Sequence, residues 1–284
     1  MIYAYALAGV ILAPFAGVFI AGLDRILTAR FQARTGPPIL QPLYDIAKLW
    51  AKEPMIAHRF QPLCVYVYLA AAMVSVGLFF AQSDLLLIFF VQAVGAVFLV
   101  MGAFLVPSPL SQAGANRELI QILTYEPLII IVLAGIYLSA GSFEISAVYA
   151  MDKPLLMDLP LLFIVFGYAL TIKLRKSPFD ISASHHAHQE LVRGVLTEYS
   201  GRQLALVEIA HLYETVLILG FCSLFWTTGV LGMVVLLATT YLAEIVVDNI
   251  CARMSFKWML KSVWTTGLAL SAVNFAWLYA RGKF

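Results

Sequence analysis

Eight mostly apolar stretches divide this sequence. They run near 2–23, 62–81, 85–106, 119–140, 157–174, 205–227, 229–249 and 258–280. A helix needs about 20 apolar residues to cross the hydrocarbon core of a bilayer, and most of these stretches reach that length. None shows the alternation of polar and apolar positions that is typical of barrel strands. Because backbone groups in lipid have to bond within their own segment, the pattern predicts eight membrane-spanning helices.

The long polar segment between the first two stretches contains a shorter pattern of its own. Within Gln41–Glu53, apolar side chains recur at helical spacing and charged side chains lie opposite them. The apolar set is Leu43, Ile46, Ala47 and Trp50, and the charged set is Asp45, Lys48 and Lys52. This arrangement predicts an amphipathic helix at the membrane surface. Lipid or a cytoplasmic partner could cover its apolar face, and the spacing alone favours lipid.

The composition excludes several classes of protein. Of the 284 residues, 62% are hydrophobic and 12% are charged, and the mean hydropathy is +0.90. A soluble domain of this length has too little interior for so much apolar surface, which excludes a soluble enzyme, a disordered protein and a coiled coil. We therefore expect an all-α polytopic membrane protein whose single transmembrane domain covers residues 1–284. The net charge of +2 gives no electrostatic basis for nucleic-acid binding.

The distribution of lysine and arginine predicts the orientation of the chain. Of the 18 Lys and Arg residues, all but Lys153, Arg281 and Lys283 fall in the connections that follow odd-numbered stretches. Cytoplasmic loops are enriched in these residues, so the connections near 24–61, 107–118, 173–204 and 250–257 are expected to be cytoplasmic. Both termini are then expected outside.

Ionisable side chains also occur inside or beside three of the apolar stretches, where a charge costs about 3 kcal/mol. They are Glu118, Glu126, Glu208, His211, Glu214, Glu244 and Asp248. Three explanations are open: pairing that only fixes helix packing, a metal or substrate site, and a proton path. For the group together we favour a proton path, because ionisable residues within membranes are mostly functional. Pro127 directly after Glu126 also predicts a kink.

Three histidines, His185, His186 and His188, crowd into four positions of the long loop near 173–204. Imidazole is a common metal ligand, but a closed zinc site needs a fourth ligand such as Glu190 or Asp180. We favour contact with a partner subunit over metal binding. Cys64, Cys222 and Cys251 lie far apart, so the chain is not expected to hold an iron–sulfur cluster of its own.

Three segments resemble one family. LDRILTARFQARTGPPILQPLYDIAKLWAKE (23–53), GANRELIQILTYEP (114–127) and SPFDISASHHAHQELVRGVLTEYSG (177–201) are similar to the signature stretches of a membrane subunit. That subunit is shared by respiratory complex I, as its subunit 1, and by group 4 membrane-bound nickel–iron hydrogenases. The resemblance covers the whole chain and implies a tilted bundle of eight helices in a prokaryotic cytoplasmic (inner) membrane.

Two departures point to the hydrogenase branch. Complex I subunits carry more residues between GP and LQP, where this chain has the contracted run Gly36–Pro42. They also carry an acidic run after FD, which Ser184–His188 replaces here. Both features resemble energy-converting (Ech-type) hydrogenases and their carbon-monoxide-linked relatives.

The resemblance also implies partners and roles. A nickel–iron catalytic subunit, an iron–sulfur small subunit, a ferredoxin-like subunit and an antiporter-like membrane subunit are expected to surround this chain. The nickel–iron centre and the iron–sulfur clusters belong to those partners, and this chain is expected to bind no cofactor. By resemblance, Glu118 and Glu126 begin a lateral proton path. The positions that match the loop cavity beneath the catalytic subunit are Arg25, Arg34, Asp180, Glu190, Glu198 and Tyr199. Of these, Glu190 and Glu198 are also expected to belong to the proton or ion path.

The expected function is therefore that of a non-catalytic membrane-anchor and ion-coupling subunit. It would link ferredoxin-type electron transfer and hydrogen formation or oxidation to proton or sodium translocation. One alternative is the quinone-site subunit of a complex I-type oxidoreductase. The other is a stand-alone ion transporter, for which an internal repeat would be expected and none is apparent.

Overall fold

The computed structural model describes residues 2–180, 182 and 193–282, and this part of the chain is helical. The helices are α1 (Ile2–Phe31), α2 (Gln41–Trp50), α3 (Gln61–Phe80), α4 (Leu85–Phe104), α5 (Pro109–Ala140), α6 (Ile145–Tyr149), α7 (Pro160–Lys173), α8 (Gly201–Ser223), α9 (Val230–Ile250) and α10 (Phe256–Ala280). Two short 3₁₀ turns, Leu155–Met157 and Gly194–Leu196, lie in the connections.

Each of the eight predicted apolar stretches coincides with one of these helices. Six helices in the described part of the chain, α1, α3, α4, α5, α8 and α9, are long and apolar enough to cross a membrane. The protein is therefore an all-helical, multi-pass membrane protein. Helix α7 has only 14 residues, and α10 has 25 but is interrupted by polar residues such as Asn274. The count of eight spans stays a prediction.

Local sequence explains where several helices begin and end. Helices α2, α3, α5 and α7 each carry a proline in the first turn, where the missing N–H has no helical partner to lose. The Asp84 carboxylate accepts hydrogen bonds from the first-turn amides of α4 at 2.7 and 3.1 Å. Gly141 ends α5 with a left-handed φ of 76°. The predicted amphipathic helix is confirmed as α2.

Two helix boundaries differ from the prediction. Helix α1 continues through Asp24 and Arg25 to Phe31. Helix α5 begins at Pro109, well before position 119, and runs unbroken through Pro127. One face of its first third is buried: Gly114 packs against the backbone of residues 194–195, while polar residues on the other face, such as Gln112 and Asn116, are exposed. Contact with the returning chain thus stabilises helical structure in a segment where the apolar pattern predicts none.

The bundle centres on α3, α4, α5 and α8. Helix α3 packs against α4 and α8, and α4 packs against α5. Helix α1 packs on α3 and α8, while α7 and α10 cover α5. Helix α9 lies at the edge against α8 and α1, and its only buried residues are Glu244 and Ile245.

Asn274 of α10 caps the short helix α7. Its Oδ1 accepts hydrogen bonds from the amides of Leu161 and Leu162 at 3.0 and 3.1 Å, and its Nδ2 donates to the Asp158 carbonyl at 3.1 Å. Asn274 is only 1% exposed. These bonds serve groups at the start of a helix that would otherwise lack partners in an apolar environment.

Replacing Asn274 by leucine is expected to lower the free energy of unfolding by about 2 kcal/mol or more, because three buried backbone groups lose their partner. The thermal midpoint of the detergent-solubilised protein measures this loss. Thr265→Val, at an exposed position of the same helix, is the control and should leave the midpoint nearly unchanged. Equal midpoints for the two variants would show that the cap contributes nothing.

Candidate functional site

Glu214 is the centre of a buried polar cluster between α4, α7 and α8. Its carboxylate accepts a hydrogen bond from Lys173 Nζ at 3.0 Å and another from the Gln92 side-chain amide. The Lys173 and Glu214 side chains are 11% and 9% exposed, so water screens this pair little. Two charges are therefore held together inside the bundle, where each needs the other.

His211 joins this pair to α3. Its Nδ1 lies 3.3 Å from Glu214 Oε2 and 2.7 Å from the hydroxyl of the fully buried Tyr68. Glu208 and Glu214 both lie three residues from His211 along α8, and the imidazole contacts Glu214. Tyr68, His211 and Glu214 form a chain of groups that can exchange protons.

Lys173 also reaches toward α5. Its Nζ lies 3.5 Å from the Tyr125 hydroxyl and 5.5 Å from the centre of that ring. Lys173 is the last residue of α7, so the negative end of the helix dipole adds to its stabilisation.

Glu118 forms the second part of the cluster. It accepts hydrogen bonds from Arg175 Nη2 at 3.2 Å and from the Ser182 hydroxyl. Arg175 has a left-handed φ of 53°, which directs the chain back across α5. Burial lowers the pKa of Arg175, but Glu118, with smaller contributions from Tyr68, Glu214 and the half-buried Glu208, outweighs this and holds the pKa above its ordinary value.

Two small cavities lie beside Glu214. One of about 30 Å³ is lined by Glu126, Lys173 and Glu214, and a second of about 30 Å³ by Lys173, Arg175, His211 and Glu214. The first cavity has a mostly apolar lining, whereas the second is lined largely by polar groups and has room for a water molecule. Buried polar atoms of the cluster that have no protein partner among the described residues are Gln92 Oε1, Arg175 Nη1 and His211 Nε2.

Glu244 and Asp248 belong to a different group at the end of α7. Glu244 accepts a hydrogen bond from Thr171 at 3.1 Å when it is ionised, and Asp248 accepts one from the Ser177 amide at 2.8 Å. Beside them, Lys176 Nζ pairs with Asp24 of α1 at 2.7 Å and lies over the Tyr241 ring.

The residues predicted to line a loop cavity contact different parts of the fold. Arg25 pairs with Asp45 of α2 at 2.6 Å, with both side chains exposed, and Asp180 pairs with Arg253 at 2.8 Å. Partial burial raises the pKa of Asp45, but hydrogen bonds from Arg25 and Gln41 outweigh this and hold it below its ordinary value. Arg34 is exposed.

Tyr199 and Glu198 lie where the chain returns from the long loop. The buried Tyr199 hydroxyl donates to the Leu99 carbonyl of α4 at 3.0 Å, and burial raises the pKa of Tyr199. The Glu198 carbonyl accepts from the Gln61 amide at 3.3 Å, and its side chain is half-buried. His185, His186, His188 and Glu190 lie outside the described residues.

Sequence reasoning missed the cationic members of the cluster. Lys173 and Arg175 count in the sequence only as charges of a cytoplasmic loop, yet each pairs with a buried glutamate. One signal for them exists: both alternate with apolar residues in Ile172–Arg175 directly after an apolar stretch. Tyr68 and Gln92 carry no such signal, because single polar residues within apolar helices are common.

Metal ligands do not gather in the part of the chain that the structure describes. There, no three His, Cys, Asp or Glu side chains are grouped so that they could hold a metal ion. Cys64 and Cys222 are buried and unpaired, and Cys251 is exposed.

Comparisons with known proteins agree on one group of relatives. Residues 4–279 match the family described as NADH dehydrogenase. Hydrogenase-4 component C of Escherichia coli (strain K12) is 29% identical over 97% of this chain and 95% of that protein. NADH-ubiquinone oxidoreductase chain 1 of Arabidopsis thaliana is 28% identical over 78% of this chain and 74% of that protein.

A solved structure has the same fold. It is that of the membrane-bound sulfane sulfur reductase, an archaeal respiratory membrane complex. One of its chains superposes with a TM-score of 0.86 at 22% identity, over 96% of this chain and 98% of that one.

Proposed function

This chain belongs to the NADH dehydrogenase family, and from that membership we propose that it is the membrane-anchor and ion-coupling subunit of a membrane-bound hydrogenase complex. The similarity to hydrogenase-4 component C supports this branch, because it extends over nearly all of both chains. The similarity to the plant NADH-ubiquinone oxidoreductase chain covers less of each. Formate hydrogenlyase subunit 4 of Escherichia coli is a further relative, at 29% identity over 64% of each chain.

The observation that carries the proposal is the buried cluster that links Glu126, Glu214 and Glu118 through Lys173 and Arg175. A subunit that only attached an enzyme to the membrane would gain nothing from charges whose burial costs several kcal/mol per ion. Alternating acids and bases with water-sized cavities between them suit proton transfer. Each proton that enters changes which carboxylate Lys173 pairs with most strongly.

The proposed arrangement has eight spans with both termini outside the cytoplasmic membrane of a prokaryote. Its long loops face the cytoplasm, where a nickel–iron catalytic subunit, an iron–sulfur small subunit and a ferredoxin-like subunit would lie on them. An antiporter-like membrane subunit would lie beside the bundle. The nickel–iron and iron–sulfur centres of those partners would supply electron transfer and the interconversion of protons and hydrogen.

Coupling would pass through Ser182, the one described residue within the loop near 181–192. Ser182 donates to Glu118, and its carbonyl accepts from the Val195 amide at 3.3 Å. A movement or change of charge in this loop would remove a hydrogen bond from Glu118 and so weaken its negative form. Arg175 would then be less neutralised, and the charge balance of the cluster would change.

Replacing Glu126 by glutamine tests the proton path. Glu126 is half-buried and borders the first cavity, so the isosteric amide should leave the fold and the assembly of the complex intact. Ion transport into inverted vesicles should fall severalfold at an unchanged rate of hydrogen formation, because glutamine cannot release a proton. Glu144→Gln, at an exposed residue outside the cluster, is the control. Full transport in Glu126→Gln would remove Glu126 from the path.

Metal analysis of the intact complex, purified through a tag on this chain, tests the choice of complex. Nickel together with several irons supports the hydrogenase. Iron with flavin and without nickel supports the alternative, a quinone-site subunit of a complex I-type oxidoreductase, which the family membership also allows.

Replacing His185, His186 and His188 by alanine should weaken retention of the peripheral subunits, and unchanged retention would exclude these histidines from docking.

A further inference from the structure

Helix α9 is buried at only two neighbouring residues, and one of them is an acid. All but two of its residues are half-buried or exposed, and the two buried ones are Glu244 and Ile245. Glu244 is 7% exposed and lies about one and a half turns before the end of the helix. An ionised carboxylate in such a place needs either a cation or several donors.

The hydrogen bonds of Thr171 decide which form of Glu244 fits the site. The Thr171 hydroxyl lies 2.8 Å from the Gly167 carbonyl and 3.1 Å from Glu244 Oε1. A hydroxyl has one proton and can donate to only one of these two acceptors. Donation to the carbonyl four residues back is the usual choice of threonine in membrane helices. Both contacts become hydrogen bonds only if Glu244 carries a proton and donates it to Thr171.

The second oxygen of Glu244 supports the same form. Glu244 Oε2 is buried and has no hydrogen-bond partner among the described residues. A buried oxygen without a hydrogen-bond partner costs far less free energy in a neutral carboxylic acid than in an ionised carboxylate. The nearby cation, Lys176, is already paired with Asp24 at 2.7 Å.

Charged and titratable groups surround Glu244 on every element packed near it. They are Asp24 on α1, Lys176 after the end of α7, Cys222 on α8, and Tyr241 and Asp248 on α9 itself. Lys176 is the one cation in this set, and the set contains two further carboxylates. An ionised Glu244 would therefore add a third negative charge beside one positive charge.

We propose that Glu244 is a proton-binding site, distinct from the Glu118–Glu214 cluster, that holds its proton in a hydrogen bond to Thr171. On release, the carboxyl O–H bond breaks and the proton leaves toward the Asp24–Lys176 pair, whose Asp24 side chain is 26% exposed. The Thr171 hydroxyl then turns to donate to the new carboxylate. The Gly167 carbonyl retains the helical bond from the Thr171 amide.

This site goes beyond the proposed function, because it concerns the protonation of this chain whatever the complex reduces. Glu244 is one of the two buried residues of α9 and contacts α7 through Thr171.

Carbodiimide labelling tests the proposal on membranes that contain the intact complex. The O–H of a protonated carboxyl in an apolar site adds across a C=N bond of dicyclohexylcarbodiimide, and the N-acylurea that forms by rearrangement is located by mass spectrometry of peptides. Glu244 should be labelled at neutral pH. Labelling should fall about tenfold per unit once the pH exceeds that at which the proton is half lost. Asp45, which is exposed and paired with Arg25, is the internal control and should stay unlabelled.

Two variants of Thr171 sharpen the test. Thr171→Val removes the donor that would stabilise the ionised carboxylate, and bonds to charged groups are the stronger ones, so labelling should persist to higher pH. Thr171→Ser keeps the hydroxyl and should restore the normal profile. A second measurement is infrared absorption: the carbonyl band of a protonated carboxyl should be present at neutral pH and lost in Glu244→Gln.

The proposal is overturned if Glu244 is labelled only in acid, if the label appears on Asp248 in its place, or if Glu244→Gln leaves the infrared band unchanged. A complex without nickel would refute the proposed hydrogenase function and would leave these labelling results unaffected. The two proposals can therefore fail separately.

Discussion

Replacing Glu214 by leucine is expected to destabilise the protein by about 3–5 kcal/mol, because Lys173 would remain buried without its partner. Lys173 Nζ lies 3.0 Å from Glu214, and both side chains are almost enclosed. Lys173→Met should cost a similar amount for the converse reason. The yield of assembled complex and its thermal midpoint in detergent measure both effects.

The double variant Glu214→Leu with Lys173→Met separates stability from ion transport. Replacing both members of a buried ion pair by apolar residues is often neutral for stability, so the double variant should regain most of the lost thermal midpoint. Ion transport should be lost in the double variant, because the Glu214 and Lys173 side chains of the proposed path are gone. Arg202→Gln, at an exposed position of α8, is the control. Transport in the double variant at the normal rate would contradict a role for this pair in the path.

Replacing Gly114 by alanine is expected to displace the chain where it returns from the long loop. A Cβ at Gly114 would lie 2.2 Å from the Gly194 carbonyl carbon and 2.3 Å from the Val195 nitrogen, and these backbone atoms cannot move alone. Glycine to alanine within a helix ordinarily stabilises by about 1 kcal/mol, but overpacking costs about 1–3 kcal/mol and reverses the sign. Proteolysis within residues 181–192 should become faster, and ion coupling should fall.

Gly167→Ala is the matched control for this variant. Gly167 also lies inside a helix, α7, but a Cβ there would have no neighbour within 4 Å. The thermal midpoint of Gly167→Ala should stay the same or rise, in line with the helix propensity of alanine, and its rate of proteolysis should not change. If both variants behave alike, the contact between α5 and the returning chain has no part in holding the loop.

Much of the fold could be predicted from the sequence because lipid imposes a simple rule. Apolar stretches become helices, and all eight predicted ones are helical. The amphipathic pattern of Gln41–Glu53 predicted α2, because its apolar positions recur at helical spacing. The first third of α5 escaped prediction because it has no continuous apolar stretch, and the face that is buried there packs on chain about 80 positions further along, through Gly114.

The acids of the site could be predicted, but their partners could not. Burial cost marks out Glu118, Glu126 and Glu214 in the sequence, since carboxylates are conspicuous inside apolar stretches. The cations that pair with them come from the end of α7 and the turn after it, where basic residues are ordinary. Which face of that turn meets α5 and which meets α8 depends on the left-handed residue Arg175, and sequence periodicity does not extend through such a turn.

The cap of α7 has a consequence for the order in which the protein is built. Asn274, which bonds the first amides of α7, belongs to α10, and the ribosome delivers it 113 positions after Leu161. Until α10 arrives, the 14-residue helix α7 lacks the partner of its first amides, and a helix of that length is too short to span the hydrocarbon core by itself. Membrane integration of the middle of this chain would therefore be completed only after α10 has been made. A chain truncated before Asn274 should be recognised by quality-control proteases even though every residue of α7 is present.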